Sequence, residues 1–190
     1  MPRRVIGITG CPGAGKSTLA SRLAADRTTS VVVPMDGFHL AQRQLERLGR
    51  AARKGAPDTF DVDGFVDLLA RIRRSVAETV FAPAFDRDLE EPIAGAIAVE
   101  PHHDLVITEG NYLLYESDGW ERVRPLLDEC WYVEVDEERR RRELVTRHVV
   151  HGRSTVAAEA WVRDVDDVNA ALVRQTRRRA DRIVARDARP

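Results

Sequence analysis

Two hydrophobic periodicities alternate along the chain. Short apolar runs bounded by Gly, Pro, Asp or Glu occur at 5–9, 31–35, 105–108, 131–135 and 182–185. Runs of Val and Ile without polar alternation predict parallel strands covered on both faces. Between them, Phe65, Leu68, Leu69, Ile72 and Val76 fall at helical spacing, as do Trp161, Val165, Val168 and Leu172. A Gly-rich turn after the first run leads into a helix expected to end near Ala25. Segment 50–59 offers few core positions and predicts a loop, and 79–99, broken by Pro and Gly, predicts an excursion with short strands. Strand–helix alternation at these lengths predicts an α/β sandwich around a parallel sheet.

Composition narrows this picture. With 190 residues, 43% of them apolar and 32% charged, the chain reads as one globular domain over 1–190, with no repeat or linker. A chain of this length buries roughly 70% of its unfolded surface, enough to fold without a metal or disulfide. Thirty basic and thirty-one acidic residues give a net charge of −1, which argues against a partner held mainly through nucleic-acid phosphates. Cys11 and Cys130 form neither a disulfide framework nor a metal-ligand spacing. The apolar run behind Met1-Pro2-Arg3-Arg4 is too short for a signal peptide, and no segment approaches a membrane span, so a cytoplasmic location is expected. The only lysines are Lys16 and Lys54; amid so many arginines they mark places where a compact ammonium suits better than a planar guanidinium.

The strongest chemical signal is Gly10-Cys11-Pro12-Gly13-Ala14-Gly15-Lys16-Ser17, followed by Thr18, which fits G-x-x-x-x-G-K-[ST] with a strand before it and a helix after it. Such a loop turns successive backbone N–H groups toward phosphate oxygens, and the helix N-terminus adds its positive end. Lys16 is expected to bridge the β- and γ-phosphates of ATP, and the Ser17 hydroxyl to ligate Mg²⁺. Neither lysine follows an asparagine, so the guanine-reading Asn-Lys-x-Asp motif is missing. Ligands of open α/β sheets bind beyond the carboxyl ends of strands, and two of those ends carry an acid. Asp36 is expected to act as base or orienter for an acceptor hydroxyl, and Glu109 as a magnesium carboxylate or substrate contact. His39, Phe85, Arg87, Asn111 and Tyr112 are further acceptor-pocket candidates. In the helical pattern beyond 137, Arg147 and Arg153 are preferred over the run Arg139–Arg142 as groups meeting the transferring phosphoryl, and the run itself is expected on a solvated face.

Met35-Asp36-Gly37-Phe38-His39, then Leu45, Gly49, Arg53-Lys54-Gly55, Pro57 and Phe60-Asp61, together with Ala82-Pro83-Ala84-Phe85-Asp86, Glu109-Gly110-Asn111, Arg147-His148 and Gly152-Arg153, carry a resemblance over nearly the whole chain. It resembles the phosphoribulokinase/uridine kinase/pantothenate kinase family of P-loop kinases, in a short branch labelled nucleoside/nucleotide kinase-like or fructose-transport kinase-like. The resemblance implies that Asp36 is the catalytic base, that Arg53 and Lys54 reach toward the acceptor or phosphates, and that a lid over about 137–155 closes on ATP. It also implies a homodimer as the family habit.

The resulting expectation is a P-loop NTPase three-layer sandwich with a five-stranded parallel sheet, order 2-3-1-4-5, and a helical lid. The activity expected is transfer of the γ-phosphoryl of ATP, with Mg²⁺, to a hydroxyl of a small metabolite, with no nucleic acid or membrane partner. Two alternatives stay open: an ATP-binding NTPase or regulator without an acceptor, and a polynucleotide-end kinase using the Arg139–Arg142 patch.

Overall fold

The computed structural model describes residues 3–187. Its strands are β1 (Arg4–Thr9), β2 (Ser30–Pro34), β3 (Val80–Asp86), β4 (Glu91–Val99), β5 (Leu105–Glu109), β6 (Glu129–Glu134) and β7 (Arg182–Ala185). Its helices are α1 (Lys16–Ala25), α2 (Gln42–Arg47), α3 (Val62–Arg74), α4 (Glu137–Val150), α5 (Thr155–Trp161) and α6 (Asp167–Gln175). The five apolar runs pair as one parallel sheet in the order β2-β5-β1-β6-β7, which is the expected 2-3-1-4-5 once the separate hairpin β3-β4 is left out of the count. That antiparallel hairpin is the excursion expected between 79 and 99.

Val5, Val33 and Val106 face α3 and the aromatic side, while Ile6, Ile8 and Ile107 face α1, so the sheet is buried on both faces. This is why its strands read as unbroken apolar runs. α3 begins at Asp61, whose side chain accepts from the Gly64 N–H, and buries Phe65, Leu68, Leu69 and Ile72. Each such side chain contributes about 1.5–3 kcal/mol by leaving water. Val76 lies past the end of α3 and is exposed, so it is not part of that stripe.

The second stripe also needs correction. A π-turn over Val162–Asp166 joins α5 to α6. The wider turn shifts the helical phase: Val162, Val165, Asp166, Asn169, Ala170 and Val173 are buried, whereas Val168 is 56% exposed. Segment 50–59 is irregular, as expected, but it is pinned from below. The Trp120 Nε1–H donates to the Pro57 carbonyl (3.1 Å) and the Tyr112 hydroxyl to the Gly55 carbonyl (2.6 Å).

Candidate active site

The carboxyl ends of β1, β5 and β2 are level, because Glu109 pairs in register with Ile8 on one side and Pro34 on the other. The loops leaving these three ends therefore share one rim. After β1 the chain wraps through Gly13 (φ 79°) and Gly15 (φ 90°) into α1, with the Ala14 N–H donating to the Cys11 carbonyl at 3.0 Å. Both glycines use the left-handed region that costs other residues strain. A side chain on Gly13 would also strike Leu144 of α4. Lys16 Nζ lies across the loop, donating to the Cys11 carbonyl (3.0 Å) and to Asn111 Oδ1 (2.7 Å). Burial lowers its pKa, against the pull of Glu109 and Asp36. Pro12, Gly13, Gly15, Lys16, Ser17 and Thr18 line the cleft above the loop. Gly10, Cys11 and Ala14 build the turn from beneath: Cys11 Sγ lies 3.4 Å from the Tyr132 hydroxyl, and Ala14 is wholly buried.

Ser17 Oγ donates to Glu109 Oε1 at 2.8 Å. Burial, and then the charge of Asp36, raises the Glu109 pKa, while Lys16 opposes the shift. Asp36 sits in the short turn Met35–Phe38 that follows β2. The turn can lie against the hairpin because Gly37 has no side chain; a Cβ there would come within 2.4 Å of the Pro83 carbonyl oxygen. The hairpin returns Arg87 to within 3.8 Å of the Asp36 carboxylate.

The rim opens into a cleft of about 970 Å³, also lined by Asp36, His39, Lys54, Phe85, Arg87, Glu109, Asn111, Arg147 and Arg153. His39 stacks on Phe60 with ring centroids 4.0 Å apart and tilts toward Phe85 at 5.0 Å. Burial drives its pKa down to about 4 although Asp36 pulls the other way. Lys54 Nζ donates to the Glu90 carbonyl (2.8 Å) and lies 5.2 Å from the centre of the Phe85 ring. Arg147 reaches the cleft from α4; burial and the neighbouring Arg87 charge lower its pKa. Arg153 stacks on Trp161 at 3.9 Å.

Two expected contacts are not brought to the cleft. Arg53 is held by the Asp58 carboxylate five residues on, so its guanidinium is occupied within its own loop. Tyr112 is fully buried, and its hydroxyl is spent on Gly55. The solvated face expected for Arg139–Arg142 also fails at one position. Arg140 is completely buried, pairs with Glu137 and Asp167, and donates to the Pro12 carbonyl at 3.3 Å. The other three are engaged with Glu143 and Asp187, with Asp167, and with Glu138, so the run presents no open basic patch.

Asp166, Asn169 and Arg186 line the cleft without having been singled out in the sequence. Asp166 and Asn169 are polar residues at buried positions of an amphipathic pattern, a signal that was there to read. Arg186 follows the last strand, pairs with Glu143 and lies against Gly15, contacts that only the folded chain reveals.

The sequence profile of the phosphoribulokinase/uridine kinase family matches residues 5–189. The chain belongs to that family. An ATP-dependent kinase-like protein of Aspergillus versicolor is 39% identical over 145 residues, covering 72% of this chain and 84% of that one. A provisionally named uridine kinase of Schizosaccharomyces pombe is 36% identical over 168 residues, covering 83% of this chain and 72% of its own. Among solved structures, a provisionally named fructose transport system kinase from Silicibacter superposes with a TM-score of 0.89 at 40% identity, over 96% of this chain and 90% of that one. The family is one of P-loop kinases, transferases that bind nucleotide, and the parallel sheet with its flanking helices has the fold of these kinases. Among the described residues no helix is long and apolar enough to cross a membrane.

Proposed function

We propose that this phosphoribulokinase/uridine kinase family member transfers the γ-phosphoryl group of ATP to a hydroxyl of a small metabolite. The observation that carries the reading is that Asp36 and the P-loop lysine line one cleft, at the level ends of adjoining strands. The positive-φ glycines of the loop, the helix start at Lys16 and the ammonium laid across the turn form a cradle suited to a polyphosphate. Ser17 and Glu109 supply the hard oxygen donors that suit Mg²⁺, and are the residues that would hold it. When bound, Mg²⁺ would neutralise charge on the phosphate oxygens.

Asp36 accepts the proton of the attacking hydroxyl, with Arg87 beside it holding the carboxylate in place. Lys16 and Arg147 meet the charge of the transferring group from opposite sides of the cleft. Arg147, whose pKa is lowered by burial and then by the charge of Arg87, lines the same cleft as Arg87, and such a pair suits an anionic group between them. Arg147 and Arg153, with the α4–α5 turn, form the closing part of the lid.

The test is acceptor-dependent ADP release from a panel of sugars, nucleosides and hydroxy acids, followed by Asp36→Asn. Turnover in the variant should fall by about 10²- to 10⁴-fold with the affinity for Mg²⁺ and ATP retained. Near-normal turnover with the true acceptor would remove Asp36 from the role of base.

A further inference from the structure

The π-turn between α5 and α6 places two polar side chains in the cleft that phosphoryl transfer itself does not use. Asn169 is 4% exposed and lines the cleft. Its side-chain amide makes no hydrogen bond within the described residues, leaving both its donors and its acceptor open. Around the Gly55 Cα the space is otherwise empty: a Cβ built there would meet only Asn169 Nδ2, at 3.9 Å. Gly55 directly follows Lys54, so this opening adjoins the loop expected to reach toward the acceptor, while the Ala170 carbonyl beside Asn169 lies 3.6 Å from Cys11 Sγ of the P-loop.

One turn earlier, Asp166 is 7% exposed and holds His148 Nε2 through one carboxylate oxygen at 2.8 Å. Its other oxygen has no partner within the described residues. An i, i+3 pair of carboxylate and amide on one helical face offers two acceptors and two donors to neighbouring groups of one ligand. π-turns recur at functional sites, and this one ends at Asp166, one helical turn before Asn169, with both residues buried and Val168 between them exposed.

The aromatic wall argues in the same direction. A planar base needs an open ring face, and the phenyl and indole rings lining this cleft are each already approached by a neighbour, Trp161 by Arg153 among them. His39 covers Phe60, while Tyr112 and Trp120 meet it edge-on, and Phe85 is shared between His39 and Lys54. What remains open at this end is hydrogen-bonding capacity.

We infer that Asn169 and Asp166 are acceptor-binding residues and that the acceptor is a polyhydroxylated molecule without a planar base, held through hydroxyls next to the one phosphorylated. The inference rests on the phosphotransfer reading above and adds the substrate class to it. Buried polar groups that a ligand must satisfy discriminate strongly, because a ligand lacking the matching group leaves them unpaired.

The test is calorimetric titration of the full chain, its P-loop filled with Mg²⁺ and the β,γ-imido analogue of ATP. D-Fructose, D-ribose and uridine serve as probes. At least one sugar should bind saturably and more tightly than uridine. Asn169→Ala should weaken that sugar about threefold to tenfold, the loss of one or two neutral hydrogen bonds, with the analogue bound as in the wild type. Asn169→Asp, which keeps the shape and removes the N–H donors, should do the same, and covers the case in which the alanine variant does not fold. Tighter binding of uridine, failure of both sugars to bind, or sugar affinity unchanged in the folded variants would overturn the inference while leaving phosphotransfer standing. Failure of the analogue itself to bind would instead strike at the phosphotransfer reading.

Discussion

His39 shows how burial decides what a residue near the Asp36 carboxylate can do. Asp36 favours its charged form, but enclosure between Phe60 and Phe85 wins and brings its pKa from 6.5 to about 4. It is therefore neutral at the pH where the enzyme works, and serves as a wall of the pocket rather than a proton carrier. The unfolded chain binds a proton at His39 below about pH 6.5, and the folded chain does so only below about 4. The contribution to stability is thus fully present above pH 6.5 and is lost as the pH falls through 4. In urea denaturation, His39→Leu should lose less stability than the wild type between pH 7 and pH 4, by up to about 3 kcal/mol. Equal losses would mean that the imidazole is not desolvated. That Asp36 and the P-loop residues share one cleft was legible in the sequence, because local spacing and strand ends set their positions. Arg53 and Tyr112 were misread because proximity in sequence to those motifs does not say which way a side chain turns.

At the scale of elements, α4 is a polar helix whose single buried stripe begins with a charge. Arg140 and Leu144 press on the P-loop at Pro12 and Gly13, and Arg147, the next residue on that face, reaches the cleft. The half of the helix nearest Asp136 is thereby tied to the P-loop and to α6. Arg140→Met removes the only side-chain donor of the set to the Pro12 carbonyl, and leaves Glu137 and Asp167 to Arg174 and Arg141. With those carboxylates still paired, what is lost is the Pro12 hydrogen bond and the charge-assisted bonds of Arg140, a cost of about 1–3 kcal/mol. Arg142, 70% exposed and paired only with Glu138, should cost under about 0.5 kcal/mol when replaced by Ala. Thermal or urea denaturation of the two variants should show that contrast, and equal effects would contradict the placement of Arg140. No sequence pattern separates these arginines, since one of four in a run is buried only because α6 supplies Asp167 opposite it. The phase shift at 162–166 was hidden for a related reason: a π-turn is set by tertiary packing, not by apolar spacing.

At the scale of the whole molecule, the parallel sheet followed from the alternation of apolar runs and helical stripes, the hairpin excursion from the Pro and Gly that break 79–99, and the strand order from the resemblance to P-loop kinases. The long-range assembly of the cleft did not, because eight separate stretches of chain meet there. With the first half of α4 anchored, the proposed lid would close through the turn joining α4 to α5, which carries Arg153 on Trp161. Hydrogen exchange with and without Mg²⁺ and the imido analogue of ATP should show new protection concentrated at 147–155 and little change at 137–144. Uniform protection along α4 would mean that the whole helix moves. All of these statements depend on a triphosphate lodging in the loop after β1. Calorimetry of Mg²⁺ and ATP against the wild type and Lys16→Ala tests that most directly. One saturable site per chain, weakened at least about tenfold by loss of the buried ammonium, is predicted; no uptake by the wild type, or equal uptake by both proteins, would contradict it.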